Sequence, residues 1–202
     1  MDPMATFFEA AGAFCDIAAC VDPPRLDDPG TDEWTIRELV AHAARGMTTV
    51  VTALAAPVDP STRLLDGAAD YFATAMSSPG IHRGIVQRAR DAAGEVGQDP
   101  GGYAWGILDE LRPLLEAQYE DTVVQHAAGR IVLSEYLRTR VLELTLHSVD
   151  IEHALGSPIG FPEGPSVMTR DLVLSLVGRV DPLAVALALS GRGAMLGCNL
   201  LA

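Results

Sequence analysis

The stretch Val141-Leu142-Glu143-Leu144-Thr145-Leu146-His147-Ser148-Val149-Asp150-Ile151 constrains the fold most, because it is largely apolar yet carries ionisable groups on one helical face. At 3.6 residues per turn, Glu143 and His147 differ by about 40° and Asp150 lies about 20° to the other side of Glu143. Tyr136 and Ala154 share this face. A carboxylate and an imidazole set among Leu, Val and Ile lose hydration on folding. A hydrogen bond, an ion pair or a shared cation must offset that cost. A helix that points such a stripe into a lined cavity of a bundle meets the requirement.

The rest of the chain also reads as helix. Ala, Leu, Glu and Arg recur at three- and four-residue spacing, and few Val-Ile-Thr-Tyr runs alternate with period two. A first helix is expected from Met4 to Cys20, ending before Asp22-Pro23-Pro24, with Phe7, Ala11, Phe14 and Ala18 on its core stripe. After a polar loop from Asp27 to Asp32, Thr35 and Glu38 form a capping box for a second helix that ends near Ala56-Pro57. Ile36, Leu39, Val40, Ala43 and Met47 make its apolar face, and His42 lies at its middle.

A third helical region covers Thr62 to Val96, broken at Ser78-Pro79-Gly80. Gly94 to Gly102 reads as a loop before a helix from Tyr103 to Asp121, which Pro113 bends. Thr122 to His126 and Ile131 to Leu133 flank a glycine-containing turn and suggest a short hairpin. Ser134 is the expected cap of the longest helix, Glu135 to Leu155, which Gly156 and Pro158 terminate. The tail shows a helical pattern from Met168 to Val180 and an apolar run from Leu183 to Leu189.

The length of 202 residues, with 49% hydrophobic and 20% charged residues, suits one main globular domain. A formal net charge of −13 repels nucleic-acid phosphates and anionic lipid, so neither nucleic acid nor membrane is an expected partner. No apolar run is long enough to span a bilayer, and Met1-Asp2-Pro3 lacks the basic start of a secretory signal; a cytoplasmic location is expected. Cys15, Cys20 and Cys198 follow no metal-finger spacing and are expected to be reduced and structural, with Cys15 and Cys20 buried.

His42, isolated on its helix, can face the Glu143 and His147 stripe. Two imidazole nitrogens and one carboxylate oxygen are a donor set suited to zinc, with a position left for water or substrate. A helix-surface Glu143–His147 pair and a satisfied core His42 are the metal-free alternatives. Arg45 reads as a solvated helix arginine in preference to a contact for an anionic substrate. His82 and Arg83 follow the helix break and border a pocket mouth or simply a loop. His126 and His153 lie off the Glu143 face and are expected at the surface, and Trp34 and Trp105 are expected to be packing anchors.

Trp34-Thr35-Ile36-Arg37-Glu38-Leu39-Val40-Ala41-His42 resembles the tryptophan-to-histidine motif of the mycothiol-dependent maleylpyruvate isomerase N-terminal family, within the DinB-like helical bundles. The segment from Arg140 to Gly156 resembles that family's later Arg-x-x-Glu-x-x-x-His-x-x-Asp motif, and the likeness covers Phe7 to Gly156. Two motifs in the expected order are more specific than either alone. The resemblance implies an all-α, DinB-like up-down four-helix bundle over residues 1–159, with 160–202 a short C-terminal extension packed on it. It also implies that His42, Glu143 and His147 bind a divalent metal, usually zinc, with Asp150 a candidate to support them.

The activity implied is thiol chemistry. The metal activates a low-molecular-weight thiol, mycothiol by resemblance, for transfer to an electrophile or for isomerisation. The partners are then that thiol and an electrophilic substrate, with a homodimer as a further option. A hydrolase that uses activated water is the second enzymatic reading, and a non-enzymatic dimerisation or binding module is the contrasting class. The isomerase itself carries a further C-terminal domain that contributes to its active site. Here a tail follows Gly156, in which Ser190-Gly191-Arg192 resembles the Gly-Arg ending of family members of this length.

Overall fold

The computed structural model describes residues 1–31, 34–77, 80–156, 160–177, 183, 186, 187 and 190. Helix α1, Pro3–Ala19, starts where the Asp2 carboxylate accepts the amides of Met4 and Ala5 at 2.8 and 3.2 Å, with Pro3 at the first helical position. Its expected stripe of Phe7, Ala11, Phe14 and Ala18 is fully buried. Helix α2, Ile36–Ala55, has the capping box of Thr35 and Glu38. The short helices α3, Ala68–Ala75, and α4, Ile81–Ala92, follow, then α5, Pro100–Glu116. Strands β1, Val123–His126, and β2, Gly129–Val132, form an antiparallel hairpin before α6, Leu133–Leu155, and α7, Glu163–Val177.

Helices α1, α2, α5 and α6 make the DinB-like bundle, ordered around its axis as α1, α6, α2, α5. Directions follow from specific contacts. Gly101 at the start of α5 lies against Ala19 at the end of α1, and the Arg112 guanidinium sits 4.5 Å from the Phe8 ring centroid, so these two helices run antiparallel. Arg25, just beyond α1, donates to the carbonyls of Leu155 and Ala154 at 3.0 and 2.9 Å. It thereby satisfies two acceptors that the end of α6 leaves without partners and places the two helix ends together. Gly46 against Leu144 and Thr49 near Tyr136 set α2 antiparallel to α6. In chain order the four helices therefore run up, down, down, up.

Several boundaries differ from expectation. Helix α5 begins at Pro100, inside the expected loop, because Asp99 caps it through the Gly102 amide at 2.8 Å. It ends at Glu116, five residues before Asp121, and carries Pro113 inside. Ser134 is not a cap. β2 runs directly into α6, whose first amides, those of Leu133 and Ser134, donate to the carbonyls of Thr122 and Glu120 at 2.7 and 3.1 Å. Residues 62–67 are not helical; Leu65 and Arg63 instead exchange backbone hydrogen bonds with Arg130 at 2.8 Å. The hairpin turn is shorter than expected, since Gly129 and Arg130 belong to β2.

Cys15 is buried as expected, but Cys20, at the very end of α1, is exposed. Trp105 is also exposed rather than a packing anchor. Met168, Leu172 and Leu176 of α7 join the core beside α1 and α6. No described helix is long and apolar enough to cross a membrane. The expectations for Asp32, Ser78-Pro79, Pro158, Val180, Gly191-Arg192, Cys198 and most of Leu183 to Leu189 lie outside the described residues.

Candidate metal centre

The antiparallel register of α2 and α6 decides where His42 goes. Gly46, one turn after His42, has no Cβ, and one built there would stand 3.1 Å from the Leu144 side chain, so the two helices approach closely. This contact brings His42 Nε2 within 4.0 Å of Glu143 Oε2, while His147 Nε2 lies 3.3 Å from the same oxygen. Tetrahedral donors about 2.1 Å from a zinc ion stand about 3.4 Å apart, so the spacing suits a shared ion. One donor atom from each residue fits within a 4.8 Å span.

The surroundings fit the same reading. His147 Nδ1 lies 3.1 Å from Asp150 Oδ2, which orients the ring and leaves Nε2 facing Glu143. Trp34, directly before the α2 cap, packs on His42 with ring centroids 4.5 Å apart, and His147 meets His42 edge-on at 4.5 Å. His42 Nδ1 is buried without a hydrogen-bond partner. Among the described residues it shares that state with Trp34 Nε1, Ser148 Oγ and Thr169 Oγ1, and a buried polar atom without a partner carries an uncompensated desolvation cost.

Electrostatics divide the three groups. Burial, and then the neighbouring His147, push His42 down to about 3, so it is neutral at physiological pH. Burial alone would lower His147, but its hydrogen bonds to Asp150 and Glu143 overrule this and raise it. Burial alone would raise Glu143, but the His147 hydrogen bond and the Arg140 charge hold it well below the usual carboxylate range. The cluster thus presents one neutral imidazole and one carboxylate, plus an imidazole whose proton stands where a cation would.

The cluster opens onto a cavity of about 670 Å³. Phe72, Ala75 and Met76 from α3 and its end, and Ile81 and Ile85 from the start of α4, supply an apolar part of its wall. Two expectations are corrected here. Arg45 is not a solvated arginine but lines the cavity. His126 is not at the surface but lines it too, with Nε2 3.3 Å from the Tyr71 hydroxyl. Trp34 packs as expected, but against His42 rather than only against the core. His82 borders the cavity, whereas Arg83 does not line it and His153 is exposed.

The sequence reading missed Arg140 and Tyr71. Arg140 is 8% exposed and sits one turn before Glu143. Its position in the Arg-x-x-Glu motif was the available signal. Tyr71, on α3, had none, because only the folding of α3 over α6 brings it to the cavity.

Comparison with protein families returns the mycothiol maleylpyruvate isomerase N-terminal domain, matched over residues 8–152. The chain belongs to that family. Curated proteins and solved structures returned no match. The isomerase-family match runs from within α1 through nearly all of α6, and therefore takes in both segments that carry the His42, Glu143 and His147 cluster.

Proposed function

We propose that this member of the isomerase family is a divalent-metal enzyme in which His42, Glu143 and His147 hold zinc. Its reaction activates a low-molecular-weight thiol, mycothiol by family, for transfer to an electrophile or for isomerisation. The observation that carries this reading is the convergence of the three donors, from helices far apart in sequence, at the wall of a substrate-sized cavity.

When bound, zinc supplies the Lewis acidity that favours the thiolate form of a thiol near neutral pH. The protein's own groups do the rest. Asp150 fixes the His147 ring so that Nε2 is the free donor. Trp34 covers His42 and keeps bulk water from that side. Side-chain exposures of 13% for His42, 17% for His147 and 25% for Glu143 leave the cluster partly open, and all three line the cavity, where a thiol and an electrophile can meet.

The test has two stages. Protein purified without added metal is assayed for stoichiometric zinc, and then for mycothiol-dependent consumption of the electrophile monochlorobimane. Bound metal with thiol-dependent turnover supports the reading. Metal with only thiol-independent ester cleavage would favour a hydrolase, and absence of any stoichiometric divalent ion would favour a binding module.

A further inference from the structure

All 14 basic side chains outside the histidines are arginines. Arg25, Arg37, Arg63, Arg112, Arg138 and Arg170 each lie within 3.6 Å of a carboxylate. Arg45, Arg88 and Arg140 have no carboxylate at ion-pair distance among the described residues, and all three line the cavity beside the His42 cluster. Arg45 stands near enough to Arg88 and Arg140 to feel their positive charge. In a chain of net charge −13, three arginines against the two carboxylates of Glu143 and Asp150 around one cavity are a local reversal of sign.

Arg140 is the most constrained of them. Its guanidinium carbon lies 5.4 and 5.1 Å from the ring centroids of Tyr71 and Tyr136, and Nε donates to Thr139 Oγ1 at 2.9 Å. Aromatic faces and a hydroxyl hold this buried charge in place, and Glu143 acts on it from beyond ion-pair distance. Its Nη2 donates to the Tyr71 hydroxyl oxygen at 3.4 Å.

Tyr71 receives a second donor. The His126 Nδ1 accepts the Ala128 amide at 3.1 Å, so the neutral ring carries its proton on Nε2, which faces the Tyr71 oxygen at 3.3 Å. With His126 and Arg140 both donating to that oxygen, the Tyr71 hydroxyl proton is directed elsewhere, and Tyr71 lines the cavity.

We propose that Arg140 and the Tyr71 hydroxyl form an anion subsite beside the His42, Glu143 and His147 cluster. Arg45 and Arg88 attract the ligand to it, and the subsite takes a carboxylate of the substrate while the Phe72, Met76 and Ile85 wall takes its apolar part. This rests on reading the cavity as the substrate site.

The test compares benzoate with its neutral isostere benzamide by calorimetric titration of the full chain, before and after chelator treatment. Benzoate is expected to bind roughly tenfold more tightly in both states. Tyr71→Phe and Arg140→Gln reduce that preference. Exposed Arg88→Gln, which leaves the core untouched and carries the test alone if Arg140→Gln does not fold, reduces it by about threefold, and less at high salt. Equal affinity for the two ligands, no measurable benzoate binding, or an undiminished preference in the folded arginine variants overturns the subsite. So does a preference that vanishes on chelation, because the carboxylate then sits on the metal. His147→Ala separates the two claims: it removes metal but keeps the benzoate preference. Wild-type protein that holds metal without that preference contradicts the subsite alone.

Discussion

His147 and Asp150, one helical turn apart on α6, are joined by a 3.1 Å contact from Nδ1 to Oδ2, which turns the other ring nitrogen towards Glu143. A carboxylate behind a ligating imidazole fixes its tautomer and raises its basicity. Asp150→Asn is therefore expected to weaken zinc binding by about 10- to 100-fold while leaving the helical circular dichroism unchanged. Competition against a chromophoric chelator measures this, and unaltered affinity would remove Asp150 from the site.

Metal uptake should also be coupled to protons. His147 is held protonated between Glu143 and Asp150 in the metal-free protein, so an ion must displace that proton. Affinity is expected to rise with pH through the neutral range, with proton release visible as a buffer-dependent heat of binding. An affinity independent of pH from 6 to 8 (roughly the range over which histidine ligands compete with protons) would contradict it.

Away from the cluster, burial and then the Arg140 charge push His126 down to about 4, below its unfolded value of 6.5. The unfolded chain takes up this proton first, so the contribution is complete above pH 6.5 and is lost as pH falls through 4. The loss is on the order of 3 kcal/mol. Urea melts at pH 7.5 and pH 5 (about either side of the unfolded histidine value) should show a smaller pH slope in His126→Gln than in wild type, and equal slopes would contradict the assignment.

The Thr35 cap ties local helix geometry to the site. Glu38 N lies 3.2 Å from Thr35 Oγ1, and Glu38 Oε2 accepts the Thr35 amide at 2.9 Å. Thr35→Ala is expected to cost about 1 kcal/mol of stability. It should also loosen Trp34 from His42, which tryptophan fluorescence would report as a red shift. A stability loss with unchanged fluorescence would mean that Trp34 is held by the core alone.

What the sequence disclosed, and what it hid, follows from the range of the forces involved. The Thr35 cap, the α1 stripe and the α6 polar face depend on neighbours three or four residues away, and all were readable. The start of α5 was not, because Gly101 and Gly102 look like loop. Yet a Cβ on Gly101 would stand 2.7 Å from the Ala19 side chain, so the glycine there serves helix packing across the bundle. Ser134 looked like a cap because β2 and the carbonyls of Thr122 and Glu120 are not visible locally. Arg45 and His126 were misplaced for a related reason. The cavity that they line exists only once α3 and α4 fold against α2 and α6.

The central claim is that His42, Glu143 and His147 share one ion. Elemental analysis of wild type and of His42→Ala, Glu143→Gln and His147→Ala, each dialysed against the same zinc-containing buffer and checked for helical content, tests it directly. The account predicts about one zinc per wild-type chain and loss of most of it in every variant. Wild type without zinc, or folded variants that retain it, would contradict the shared site.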